Sequence, residues 1–281
     1  MRQLKNEKKL ESRLRAAFFM EAAKVVGEIS VKHKIAAVVA GALLAGCAAL
    51  PEPEPAAPPA SPDLSSTPWA QQAAAGSGPW VHQHFPGKTP TVFRYARKDG
   101  RDAMAVTASS SASMLRQNVR VEPPQLGHLR FSWLVPELMA QADLASRDAD
   151  DAPVRLVLAF EGDRSHFSPR DRMLSELARA LTGEELPYAT LMYVWCNKRE
   201  PGTVVKNPRT DRIRTLVLES GNGRLNRWLD YDRDIRADFE RVFGEAPGAL
   251  VSIGVMTDSD NTRSTARAWY GPVRLVPIAS R

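Results

Sequence analysis

Thr190-Leu191-Met192-Tyr193-Val194-Trp195-Cys196-Asn197 is apolar at odd and even positions alike. So short a run has strand length, and apolarity on both faces marks a strand in the middle of a sheet. Working outward, residues 128–135 place Leu129, Phe131, Trp133 and Val135 on one face. Residues 154–161 place Val154, Leu156, Leu158 and Phe160 together, with Val157 and Ala159 softening the other side. Residues 213–219, 249–256 and 273–278 read as three more strands, and residues 91–96 and 103–109 as weaker ones. Two helices interrupt. Ser168-Pro169-Arg170-Asp171 is a helix start, with Ser as cap and Pro at the first helical position. Met173, Leu174, Leu177 and Leu181 then form an apolar stripe expected to face the core, and Gly183 ends the helix. The second helix is expected to open near Asp230 or Asp232, bury Ile235, Phe239, Val242 and Phe243, and close at Gly244. Strands outnumber helices and no βαβ repeat is present. The expected fold is mainly β, an antiparallel, jelly-roll-like β-sandwich with two marginal helices.

The chain has 281 residues, 43% hydrophobic and 25% charged, which is globular composition and excludes a wholly disordered or multi-pass membrane chain. Its net charge of +6 is unevenly placed. Residues 1–46 hold nine Lys/Arg and four Asp/Glu, whereas the rest holds 29 basic and 28 acidic side chains. A near-neutral body lacks the broad basic footprint of a nucleic-acid binder, so no nucleic-acid partner is expected.

The charged leader has an address in it. Residues 35–50 are an unbroken run of 16 small and apolar residues behind Lys32, His33 and Lys34. A bilayer span needs about 20, so a basic segment followed by a short apolar one reads as a secretory signal. It ends in Leu44-Ala45-Gly46-Cys47, which resembles a bacterial lipobox, in which the chain is cut before a Cys that carries diacylglycerol. A plain membrane anchor with an incidental Cys is the alternative. Ala48, rather than Asp, follows the Cys, and resemblance to sorted lipoproteins then implies an outer-membrane lipoprotein facing the periplasm. Met20 is a candidate true start. With Cys47 acylated, Cys196 has no partner for a disulfide, and among apolar neighbours it is expected to be an inert core thiol. Residues 47–79, rich in Pro, Ala and Ser, read as a tether. Residues 80–281 then form a single domain.

Several strings carry a family resemblance: Trp80 with Phe85-Pro86-Gly87-Lys88-Thr89; Leu129-Arg130-Phe131-Ser132-Trp133; residues 186–195; Met256-Thr257-Asp258-Ser259-Asp260-Asn261-Thr262; and Trp269-Tyr270-Gly271. In order and spacing they resemble the uncharacterised bacterial family numbered 3047 among the domains of unknown function, over residues 80–276. The resemblance implies an envelope location and brings no established activity or catalytic residues. At fold level, the Leu-x-Phe-x-Trp strand and the closing Trp-Tyr-Gly-Pro-Val-Arg-Leu are also similar to jelly-roll carbohydrate-binding modules.

The candidate ligand-binding residues are Trp228, Asp258, Asp260 and Asn261. The run Asp258–Thr262 follows an apolar strand, and its carboxylates and amide suit either Ca²⁺ or sugar hydroxyls. An Asx-built turn is the plainer reading. Ca²⁺ there is the only cofactor the residues leave open; otherwise none is expected. Trp228 stands among Asn222, Arg224, Asn226, Arg227 and Asp230, as a sugar-stacking platform or a helix-start staple. Glu161, Asp163 and His166 form a second polar cluster, suited to acid–base work or to a solvated loop. Asp148, Asp150 and Asp151 read as gatekeeping charges before a strand. His82 and His84 share a strand face but lack further ligands for zinc. Gly87-Lys88-Thr89 is no phosphate loop, because His82 stands where the first Gly is required. No catalytic motif is present. The expected function is non-catalytic binding of a glycan or another cell-envelope component, with membrane attachment through the lipid. The alternatives are a hydrolase using carboxylates among Glu161, Asp163, Asp258 and Asp260, and a structural partner in an envelope assembly.

Overall fold

A computed structural model describes residues 80–276 and 278. The lipobox with Cys47 and the tether lie outside the described residues. In chain order the elements are β1 (Val81–His84), β2 (Val92–Lys98), β3 (Arg101–Ser109), β4 (Ala112–Val121), β5 (His128–Leu134), β6 (Ala152–Phe160), α1 (Pro169–Thr182), β7 (Ala189–Cys196), β8 (Val204–Lys206), β9 (Ile213–Ser220), β10 (Leu229–Asp234), α2 (Ile235–Phe243), β11 (Leu250–Asp258), β12 (Thr265–Tyr270) and β13 (Arg274–Val276). They form two sheets. The first runs β1-β4-β11-β6-β7-β9-β8, and the second β10-β5-β12-β3-β2 with β13 on β5. Every pairing is antiparallel except β7 with β9. The described residues form a mainly-β sandwich with two α-helices at its margins.

Alternation puts the core between the sheets. Phe131 and Trp133 of β5 enter from one side, and Leu156, Leu158, Tyr193 and Trp195 from the other. Phe131 stacks on Tyr193 across the gap with ring centroids 5.9 Å apart. As the double apolarity of residues 190–197 requires, β7 lies inside its sheet, between β6 and β9. Its second face, Val194 and Cys196, packs into a smaller cluster with Leu144, Val205 and Val217. The Cys196 thiol is buried there.

The helices depart from expectation in two ways. α1 starts where predicted: Ser168 Oγ accepts from the Asp171 N–H at 3.1 Å, and Gly183 ends the helix in the left-handed region. It turns Asp171 and Ser175 inward instead of its apolar stripe, while Met173 and Leu181 are 55% and 61% exposed. The reason is polar satisfaction: Asp171 accepts from the Thr210 hydroxyl, and Ser175 Oγ takes the Leu186 N–H at 3.3 Å. The second correction concerns Asp230 and Asp232. They belong to β10, not to α2, because Leu229–Asp234 pairs residue for residue with β5. α2 begins only where Asp234 turns its carboxylate onto the Ala237 N–H, at 2.9 Å.

The lead-in to β11 presses against the exit of β6. A Cβ on Gly248 would stand 2.1 Å from the Glu161 carbonyl oxygen, which is backbone and cannot step aside. Gly248→Ala is expected to cost about 1–3 kcal/mol, read as a fall of several degrees in the thermal midpoint.

Candidate functional site

The strand register separates the polar clusters. β11 pairs Leu250 with Phe160 at one end and Asp258 with Ala152 at the other. Eight residues of strand put those ends about 27 Å apart. Glu161, Asp163 and His166 follow Phe160, so they lie at the end remote from Asp258, Asp260 and Asn261.

At the Asp258 end the polar groups bind one another. Arg155 Nε donates to Asp258 Oδ1 at 2.8 Å, and Arg155 Nη2 to Asp150 Oδ1 at 2.9 Å. Asp151 accepts from the backbone and side chain of both Asn261 and Thr262. Asp260 pairs with Lys88. The run Asp150–Asp151 is therefore an internal lock rather than a gatekeeping charge run; Asp151 is only 1% exposed. Carboxylate oxygens of Asp151, Asp258 and Asp260 lie within 4.8 Å of one another. Within this group Arg155 already pairs with Asp258, and Lys88 with Asp260. Burial pushes the Asp258 carboxyl up to about 6 against the pull of Arg155, and the charges of Asp151 and Asp150 add to the rise.

At the opposite end Glu161 meets Arg120 at 3.1 Å, Asp163 accepts from the Ser165 N–H at 2.8 Å, and His166 stands 3.7 Å from Asp163. All three residues are exposed. A cleft of about 500 Å³ bounded by Arg120, Glu122, Glu161, Arg164 and Gly248 opens beside them. His82 hydrogen-bonds Ser113 Oγ at 2.8 Å, and burial lowers its pKa.

The third place is the outer face of the second sheet. On β12, Ala266, Ala268 and Tyr270 are buried, so Arg267 and Trp269 point outward. Trp269 pairs with Leu134 of β5, and Trp228 lies one residue before the Leu229–Trp133 pair. The two tryptophans thus flank Leu134, two strand spacings or about 9.5 Å apart along the sheet. Leu134 beneath them is buried although its face is the outer one. Each ring carries a cation: Lys98 Nζ is 5.5 Å from the Trp269 centroid, and the Arg101 guanidinium 5.4 Å from that of Trp228. Gly271 makes room for this. A Cβ there would strike Ser132 Oγ at 2.1 Å and approach the Trp228 ring at 3.6 Å.

Beside Trp228 lies a cleft of about 570 Å³, lined by Arg101, Asp102, Arg130, Asp230, Asp232 and Arg274 among others. Three arginines stand beside the outward Asp230 and Asp232 there, so donors lie next to acceptors. Arg101 meets Asp230 at 2.7 Å. Asp232 takes His128 at 2.6 Å and Arg130 at 2.8 Å, and these two hold its carboxyl below the usual range. Asp102 accepts from the Tyr95 hydroxyl at 2.6 Å. Of the residues singled out in the sequence, Trp228 belongs to this site. Its companions Trp269, Arg101, Arg130, Asp232 and Arg274 were not among the candidate ligand-binding residues. The signal for them was outward alternation, and it becomes usable only once the register is known.

The family model described as "Protein of unknown function (DUF3047)" matches residues 78–274. The chain belongs to this family. None of the curated proteins matches this DUF3047 member. Among solved structures it is similar to the xyloglucanase domain of NopAA, a type three effector from Sinorhizobium fredii, in complex with cellobiose. That likeness has 12% identity and a TM-score of 0.36, covering 74% of this chain and 99% of that one. A carbohydrate-binding module that recognises mannan, TmCBM27, gives 13% identity and a TM-score of 0.27, over 77% and 95%. An ENZbleach xylanase mutant gives 8% and 0.31, over 73% and 89%. At TM-scores this low none of these likenesses bears on what the DUF3047 chain does.

The raised Asp258 carboxyl has a testable sign. Between roughly pH 4 and 6 the folded state keeps a proton that the unfolded chain has released, so stability falls as pH rises through that window. In urea titrations across it, the wild type is expected to lose stability relative to Asp258→Asn.

Proposed function

We propose that this domain binds a glycan of the cell envelope, without catalysis, on the outer face of its second sheet. The observation that carries the reading is the outward pair Trp228 and Trp269 flanking Leu134, beside a cleft where arginines stand next to aspartates. Aromatic faces stack on the apolar faces of sugar rings, and paired donors and acceptors satisfy ring hydroxyls. The hydrolase reading has less support. Its four carboxylates divide between two ends of β11. Glycoside hydrolysis also needs a carboxyl that keeps its proton at working pH. The raised one, Asp258, is buried against Arg155, while those in the binding cleft are tied to Arg101, Arg130, His128 and Tyr95. In this proposal the domain hangs from an outer-membrane lipid on Cys47 through the tether of residues 47–79, facing the periplasm.

Trp228→Ala and Trp269→Ala are each expected to weaken binding to a retained polysaccharide by about tenfold or more, measured by affinity electrophoresis over a panel of envelope glycans. Binding unchanged in both variants, or no glycan retained by the wild type, removes the proposal. For the anchor, mass spectrometry of the protein purified from its own cells should find a diacylated Cys47 as the first residue. An intact leader contradicts it.

A further inference from the structure

The outer face is electrically lopsided. The outward positions of β2, β3, β12, β5 and β13 carry six cations, Arg94, Lys98, Arg101, Arg267, Arg130 and Arg274, and no carboxylate. The outward carboxylates of this sheet sit on its edge strand β10: Asp234, which caps α2, and beside it Asp230 and Asp232. Asp230 and Asp232 serve Arg101 and Arg130, which leaves the positive excess at the Trp269 end. There, Arg94 and Trp269 both pair with Ala105, one from each side. The small alanine leaves a trough with a guanidinium on one bank and an indole on the other. Arg267, paired with Thr107, occupies the neighbouring row, and Lys98 lies over the indole itself. The acids near these cations come from loops: Asp99 at 3.2 Å from Lys98 and Glu137 at 3.4 Å from Arg267. Both contacts are solvent-exposed and worth little, so a ligand carboxylate can replace them.

Resting on the glycan reading above, we propose that the ligand is an acidic polysaccharide, with a sugar ring on Trp269 and its carboxylate held by Arg94, Lys98 and Arg267. The neutral half of the site, around Trp228, takes the hydroxyls of the adjoining residues of the same chain.

The probes are polygalacturonate and alginate, each beside its carboxyl-reduced counterpart, titrated calorimetrically into the full chain in detergent. The acid form should bind about tenfold more tightly than the reduced form at low salt, as three exposed charge contacts allow. The gap should close at high salt. The double variant Arg94→Ala/Arg267→Ala should close it at low salt as well, while binding of the reduced form persists. Equal affinity for acid and reduced forms overturns the acidic ligand and leaves glycan binding standing. So does a gap that survives the double variant, or a neutral glycan bound while both acids are refused. If neither the acids, their reduced forms nor any neutral glycan binds, the glycan reading falls with it.

Discussion

The Tyr270 hydroxyl crosses from one sheet to the other. It accepts the Arg155 N–H of β6 at 3.1 Å and donates to the Met256 carbonyl of β11 at 2.5 Å. The β6–β11 register slips between Met256 and Asp258, and the hydroxyl satisfies the backbone groups that the slip frees. Burial raises the phenol's pKa, so it stays protonated and keeps its donor. Because Tyr270 must point inward, its neighbour Trp269 must point outward, and so must Arg267 two residues before. The outward placing of Trp269 and Arg267 is thus a by-product of a bond made in the interior.

Arg155 adds a second tie at the same place. Its side chain and that of Asp258 are each 5% exposed. Such a pair costs desolvation that its attraction only partly offsets. What it contributes is position: it joins the turn at Asp150 to the end of β11, and Asp151 then gathers the loop that leads into β12. The Asp258–Thr262 run, rich in chemistry on paper, spends that chemistry holding β12 in place.

The sequence disclosed what depends on near neighbours. β5, β6 and β7 were legible because their alternation is long and apolar, and the start of α1 because cap and proline stand together. Trp228 could be singled out from its polar company. Trp269 could not be assigned a side, since Trp and Tyr are adjacent and either one suits a core. The deciding partners, Arg155 and Met256, are 115 and 14 residues from Tyr270. The same distance hid the burial of Asp151, whose partners Asn261 and Thr262 are 110 and 111 residues away. The apolar stripe of α1 faces outward for a related reason. Apolar spacing gives a helix its greasy side, but Thr210 and Leu186 decided which side faced in.

One feature of the strand order reaches beyond the binding face. β11 lies between β4 and β6, and β12 between β3 and β5. Both sheets are therefore split in two until the last thirty-odd residues arrive. A chain emerging with its N-terminus first has no complete sheet to close, and its early strands must wait with open edges. Closure of the sandwich is therefore the last step of its folding, delayed until β11 and β12 can take their central places.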